Sequence, residues 1–207
     1  GVHFSNLIVS QIFKKINKKS FFKKNRSFQT LSIILPCLNE KNKIKKVLRE
    51  ITSFRFSQFN LSKEIILVDG GSTDGSIQIA KKFRDLKIYS LNNKKRGECI
   101  DFGIQNSKGD IIVVFPSDGE YAVSDIENLV SQIYLKKSEV VYGSRLIKNL
   151  DPSKMIRRVY GNNIFLYYLS KFGGIAISAF TLILYNRFLA DPLTTLKCFN
   201  AQVIKNI

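Results

Sequence analysis

Ile111-Ile112-Val113-Val114-Phe115-Pro116-Ser117-Asp118-Gly119-Glu120-Tyr121 is the stretch on which the reading of this chain turns. Its apolar, largely β-branched start predicts a buried strand. Asp118 and Glu120 follow at i and i+2. Alternate residues of an extended segment face the same way, so the two carboxylates are expected to point at one ion. Carboxylate oxygens are hard ligands suited to Mg²⁺ or Mn²⁺, and substrate phosphates commonly complete the coordination of such ions. The pair therefore suggests a metal–diphosphate site, against the plainer alternative of a solvated acidic turn.

Working outward, the same grammar recurs upstream. Leu31-Ser-Ile-Ile-Leu-Pro36 reads as a strand, Cys37-Leu38-Asn39-Glu40 as a loop, and Ile44, Val47, Leu48 and Ile51 fall at helical spacing. Glu64-Ile-Ile-Leu-Val-Asp69 repeats the strand. Gly70-Gly71-Ser72-Thr73-Asp74-Gly75 follows, and then a helical pattern of Ile77, Ala80 and Phe83. Thr73 or Asp74 is the expected N-cap, and Gly70 and Gly71 permit backbone angles closed to other residues. Further elements are predicted as a strand at Leu86–Ser90, a helix near Glu98–Gln105, a helix near Ser124–Tyr134 and a strand at Glu139–Tyr142. This alternation predicts an α/β fold, a single domain with a mostly parallel central sheet flanked by helices. Ligands of such sheets bind at the carboxyl ends of the strands, where Asn39, Asp69 and Asp118 fall.

Leu31–Glu40, Val68–Ser76, Gly109–Asp118 and Val141-Tyr-Gly-Ser-Arg145 occur in the order and approximate spacing of the family-two glycosyltransferases. The chain resembles that family over roughly residues 30 to 200. Asp191-Pro-Leu-Thr-Thr-Leu-Lys-Cys-Phe199 resembles the late Asp-Pro motif of the branch typified by dolichol-phosphate mannose synthase and bacterial polyprenyl-phosphate sugar transferases. The resemblance implies a nucleotide-sugar-binding domain in which Pro36, Leu38 and Glu40 line the first nucleotide-contact loop and Asp69 reads the nucleobase. It places Lys95, Arg96 and Gly97 in a basic-glycine loop beside the donor, and Ser117 and Asp118 beside the donor and metal. Metal binding falls to Asp118 and Glu120, with Mg²⁺ or Mn²⁺ as cofactor, and Arg145, Arg157 and Arg158 are expected to hold anionic groups of the reaction.

Two departures stand out. Pro116 occupies the family's first metal-motif acid, so binding is expected to be weaker, more dependent on the diphosphate, or assisted by Ser117. The frequent Asp-Asp-Gly-Ser appears as Asp69-Gly70-Gly71-Ser72, which retains only the first acid.

Composition restricts the alternatives. With 207 residues, 44% of them hydrophobic, the chain can bury one α/β core. The single His3 excludes a His-rich zinc centre and a Ser-His-Asp triad. Cys37, Cys99 and Cys198 are dispersed and read as reduced thiols of a cytoplasmic compartment. The glycine loop lacks dinucleotide-binding spacing, and no Gly-Lys-Ser/Thr phosphate loop is present.

The formal charge is +17, and Lys14, Lys15, Lys18, Lys19, Lys23, Lys24 and Arg26 crowd among Phe and Ile residues without an intervening acid. Residues 1–30 are therefore read as a basic amphipathic segment for an anionic membrane surface. A solvated basic tail is the main alternative; a mitochondrial-type targeting segment is another, which the Lys-rich, Arg-poor composition argues against. Nucleic acid is not expected, because no nucleic-acid module accompanies the charge. Residues 31–207 form the expected transferase domain. Within it, apolar helices about 161–189, broken at Ser170–Gly174, are expected to lie in the membrane interface, each falling short of the roughly 20 residues a span requires. A core helical hairpin is the other reading of these helices.

The expected activity is metal-assisted, inverting transfer of a sugar from a nucleotide-sugar donor to a polyprenyl-phosphate acceptor at the cytoplasmic face of a membrane. The rivals are a glycosyltransferase acting on a saccharide or another lipid in cell-surface polysaccharide synthesis, and a non-catalytic basic module that binds membrane or nucleic acid. Relatives of the branch commonly continue past the Asp-Pro motif, so the chain is read as a fragment with further helices or transmembrane segments expected beyond Ile207.

Overall fold

The computed structural model of the protein describes residues 28–56, 58–119, 121–143, 172–173, 176–177, 179, 182–183 and 194–206. Most of the basic N-terminal segment lies outside the described residues. Strand β1, Thr30–Cys37, is buried at every position after Thr30, as a strand covered on both faces must be. It pairs in parallel with β2, Ser62–Asp69, in a register that sets Cys37 opposite Asp69. Strand β3, Lys87–Ser90, extends the sheet beyond β2, and β4, Ile111–Val114, lies on the other side of β1. Strand β5, Val140–Tyr142, and strand β6, Lys197–Asn200, complete the order β3-β2-β1-β4-β6-β5, with β6 antiparallel to both neighbours.

The period-two alternation divides the core between the two faces. Leu31, Ile33 and Leu35 face one side with Ile65, Leu67, Ile111 and Val113. Helix α1, Lys41–Ser53, covers that side with Ile44, Val47, Leu48 and Ile51, the four positions that the helical spacing singles out. Helix α4, Ser124–Tyr134, adds Ile126, Leu129, Val130 and Ile133. Ile34, Ile66, Val68 and Ile112 face the opposite side, where helix α3, Arg96–Asn106, packs with Cys99 and Ile104.

Three expectations change. The helix after the glycine loop, α2, runs only Ser76–Ala80, so Phe83 reaches the core from the turn that follows rather than from the helix. Lys197–Asn200, read only as part of the late motif, is a central strand. It carries no β-branched residue, and it is held by ladders to β4 and β5. Phe172 and Gly173, expected in the break between the apolar helices, are helical, as are the described residues between 176 and 183. The rest of the 161–189 stretch lies outside the described residues. Among those described, no helix is long and apolar enough to cross a membrane.

Candidate active site at the carboxyl ends of the strands

From β1 the chain steps outward to β2 and β3, then returns to place β4 on the far side of β1. The order reverses between β1 and β4, which opens a crevice at their carboxyl ends. Two groups of side chains line that edge of the sheet.

The first group is built from the loops after β1 and β2. Asp69, the last residue of β2, is only 3% exposed. Its carboxylate accepts the Gly71 N–H at 3.2 Å, the Ser72 N–H at 3.1 Å and the Ser72 hydroxyl. Buried charge is tolerable when donors converge on it in this way. Ser72 Oγ also accepts the Asn39 N–H at 2.9 Å, and Asn39 Oδ1 accepts the Thr73 N–H at 2.9 Å. Asn39 sits at φ +55°, a region that asparagine enters more readily than most residues. One turn on, Ser76 Oγ accepts the Glu40 N–H and Asp74 Oδ2 accepts the Lys41 N–H, both at 2.8 Å. Helix α1 has no acid in its own first turn, so Asp74 supplies the negative charge that its N-terminus favours. Asp74 Oδ1 also accepts the Ser76 N–H at the start of α2. Asn39, Ser72 and Asp74 therefore clamp the two loops together. The sequence reading places Asn39 at this edge and Asp74 as a cap of the following helix, but misses Ser72 and the reach of Asp74 to α1, for which an uncapped α1 followed by a Ser-Thr-Asp loop is the available signal.

Cys37 lies beneath this clamp. Burial, with the negative charge of Asp69 adding to it, pushes its thiol up to about 11 and leaves it a neutral wall rather than a nucleophile. All three cysteines are buried and free.

The second group joins the end of β4 to the start of α3. Ser117–Gly119 is a turn with Gly119 at φ +71°, so the chain is not extended here and the alternation argument for Asp118 and Glu120 does not hold. Glu120 lies outside the described residues. Ser117 is buried and donates its hydroxyl to the Pro36 carbonyl at 2.7 Å, a clip between the ends of β1 and β4 that turns it inward from the crevice. Pro36 is buried in β1 as well, whereas Leu38 is 52% exposed at the rim. Asp118 pairs with Arg96 at 3.6 Å, the first residue of α3. Burial raises the Glu40 carboxyl above its ordinary 4.5, and repulsion from Asp118 and Asp74 adds to what Lys43 and Arg96 offset.

The start of α3 is held by Glu98, three residues past its N-cap. Glu98 accepts the Lys95 N–H at 2.9 Å and pairs with Lys94 Nζ at 2.7 Å. Lys95, Arg96 and Gly97 are all exposed. The Lys94 N–H donates to the Gly70 carbonyl at 3.1 Å. A Cβ on Gly70 would lie 2.6 Å from the Lys94 carbonyl oxygen, so Gly70 is required for space and only Gly71, at φ +110°, for its backbone angle.

The structure thus brings Pro36, Leu38, Glu40, Asp69, Lys95, Gly97, Ser117 and Asp118 to one edge of the sheet. Arg145, Arg157 and Arg158 lie outside the described residues. Among those described, no three His, Cys, Asp or Glu side chains gather as a metal cage. The Asp118 carboxylate has the donor chemistry for one protein ligand to a hard cation whose remaining ligands come from phosphate and water, and a divalent ion fits the site in that form.

A family model described as glycosyl transferase family 2 matches residues 32–193. A dolichyl-phosphate beta-glucosyltransferase of Trichomonas vaginalis is 29% identical over 69% of this chain and 48% of its own length. A UDP-N-acetylglucosamine–dolichyl-phosphate N-acetylglucosaminyltransferase of Methanococcus voltae is 25% identical over 84% of this chain and 70% of its own. Glucosyl-3-phosphoglycerate synthase of Mycobacterium tuberculosis, solved with Mn²⁺, uridine diphosphate and phosphoglyceric acid, superposes with a TM-score of 0.58 at 18% identity. That likeness covers 86% of this chain and 58% of the mycobacterial one, and it shows the fold. The chain thus spans between about half and 70% of the lengths of these proteins.

Proposed function

Because the chain belongs to glycosyl transferase family 2, we propose that it transfers a sugar from a nucleotide-sugar donor to a membrane polyprenyl phosphate. The observation that carries this reading is the pairing, at one switch point, of a buried acid and an exposed acid–cation pair. Asp69 sits in a preformed loop, and Asp118 faces Arg96 across the crevice. The dolichyl-phosphate acceptors named for the two sequence relatives support the choice of acceptor.

Asp69 and the β1–β2 clamp hold the nucleobase end, with Glu40 and Leu38 at its rim. Arg96 and Lys95 face the diphosphate, where charge-assisted hydrogen bonds favour anionic oxygens. A divalent ion, Mg²⁺ or Mn²⁺, when held by Asp118 with Glu120 and the diphosphate, neutralises the leaving group. Arg145, Arg157 and Arg158 steer the acceptor phosphate. That phosphate is already ionised near neutral pH, so placing it in line with the anomeric carbon replaces a general base, and displacement from the opposite face inverts the centre.

Membrane access completes the reading. Phe172, Ile177, Leu182 and Ile183 are helical and exposed, Ile183 by 79%. Together with the Lys-rich residues before Ser27 they supply an apolar and a basic contact for the anionic cytoplasmic leaflet. Salt weakens only the basic contact. Ile177, Leu182 and Ile183→Ser should remove the salt-resistant fraction of liposome binding, and deletion of residues before Ser27 should remove the salt-sensitive one. Vesicle sedimentation measures both, and an intact chain that stays in solution at low salt would reject the membrane contact.

The transfer is tested by incubating the protein and membranes with a panel of labelled nucleotide sugars and extracting with organic solvent. The label is expected in an acid-labile lipid fraction. Label confined to water-soluble saccharide would move the assignment to a soluble acceptor.

A further inference from the structure

Arg96 and the divalent ion have claims on the same carboxylate. Asp118 is the metal-type acid of this crevice, and its Oδ2 lies 3.6 Å from Arg96 Nη2. Pro116 removes the acid that would stand two residues before it. Gly70, which stands where the resembled family carries a second acid, removes another negative group and makes room for the Lys94 carbonyl. The close approach brings the start of α3 against β2, and Glu98, accepting the Lys95 N–H, fixes it there. Glu98 also pairs with Lys94, and Arg96 is the cation directed at Asp118. The two departures thus act together: the site has fewer carboxylates for a cation, and the one at Asp118 is already paired with a guanidinium.

We infer that the Arg96–Asp118 pair is an exchangeable latch. A divalent ion at Asp118 competes with Arg96 for the carboxylate, and the displaced guanidinium then pairs with the donor diphosphate. The Arg96 side chain is 51% exposed, so solvent rather than packing surrounds much of it, and guanidinium geometry suits two phosphate oxygens at once. Metal and diphosphate therefore strengthen each other's binding through Arg96 itself, in addition to their direct contact. The inference rests on the transferase reading for the identity of the diphosphate ligand and for the metal at Asp118.

The test uses Mn²⁺ alone and pyrophosphate alone on the whole chain, so it needs no sugar transfer. An exposed ion pair is worth up to about 1 kcal/mol, or roughly fivefold in affinity. Free Mn²⁺ is followed by electron paramagnetic resonance, and pyrophosphate by calorimetry in the presence of a chelator. Arg96→Gln is expected to tighten Mn²⁺ by roughly three- to fivefold and to weaken metal-free pyrophosphate. Asp118→Asn is expected to abolish Mn²⁺ binding yet tighten metal-free pyrophosphate, because Arg96 is then released. The opposite signs of these effects separate a latch from a simple ligand. Unchanged or weaker Mn²⁺ binding in Arg96→Gln, weaker pyrophosphate binding in Asp118→Asn, or no Mn²⁺ binding in any variant would overturn the inference and leave the transferase assignment standing. Unchanged thermal melts of both variants would show that neither effect comes from unfolding.

Discussion

The two sides of the crevice are built on opposite principles. Around Asp69 a buried carboxylate is surrounded by backbone N–H groups and tied through Ser72 and Asn39 to the neighbouring loop. Around Asp118 a half-buried carboxylate meets an exposed guanidinium at 3.6 Å. The first arrangement has paid its ordering cost during folding and offers a fixed shape. The second remains free to exchange partners. A donor whose base is constant and whose diphosphate changes charge during reaction calls for that asymmetry, since preorganisation helps most where nothing moves.

The sharpest way to break the contrast is Asp118→Asn, which should lower metal-dependent transfer by about 100-fold, the scale of losing one electrostatic contact to the developing charge. Glu120→Gln should cost less. Equal, unchanged initial rates in both would remove the metal assignment. Asp69→Asn tests the rigid side. Its amide replaces one of the two acceptor oxygens on which the Gly71 N–H, the Ser72 N–H and the Ser72 hydroxyl converge, so stability should fall by about 2 kcal/mol in urea titrations and nucleotide affinity roughly tenfold. A variant as stable as wild type would show that the loop is held by other bonds.

Gly70→Ala probes the seam between the sides. The new Cβ meets a backbone oxygen at 2.6 Å, and overpacking of this kind costs about 1–3 kcal/mol. Denaturant melts should show the loss, and Arg96 should reach Asp118 less well. A neutral substitution would mean that the seam can open without cost.

The smallest effect is a pH dependence. The Glu40 carboxyl is raised above its ordinary 4.5 by burial, so the fold favours its protonated form. Its contribution is fully present below 4.5 and is lost as pH rises through the higher folded value. Glu40→Gln should therefore gain stability over wild type at neutral pH and match it below 4.5. A gain confined to acid would reverse the sign and contradict the burial argument.

The legible parts of this molecule are those governed by local periodicity. The face of α1 carrying Ile44, Val47, Leu48 and Ile51, the strands through Leu31–Pro36 and Glu64–Asp69, and helix α4 all follow from short-range pattern, with Cys37, read as loop, joining the end of β1. What was not legible depends on contacts between distant segments. Strand β6 has no strand signature of its own and is held by partners more than 50 residues away. Asp74 caps a helix that begins 33 residues earlier. The Ser117–Gly119 turn displaces an alternation that assumed the strand continued. The Arg96–Asp118 pair joins two loops from opposite sides of β1, and no spacing in the sequence announces it. Family resemblance supplied the residues of the site, whereas only the fold showed that Asp69 is buried among donors and that Asp118 is paired with Arg96.

The central claim is that an ionised phosphate acceptor replaces a catalytic base. It is tested most directly by offering the protein, with its labelled donor and Mn²⁺, either a polyprenyl phosphate or the matched polyprenol in the same detergent. Labelled lipid should form from the phosphate and not from the alcohol. Equal labelling of the alcohol, or labelling of an added saccharide in preference to either lipid, would contradict the account.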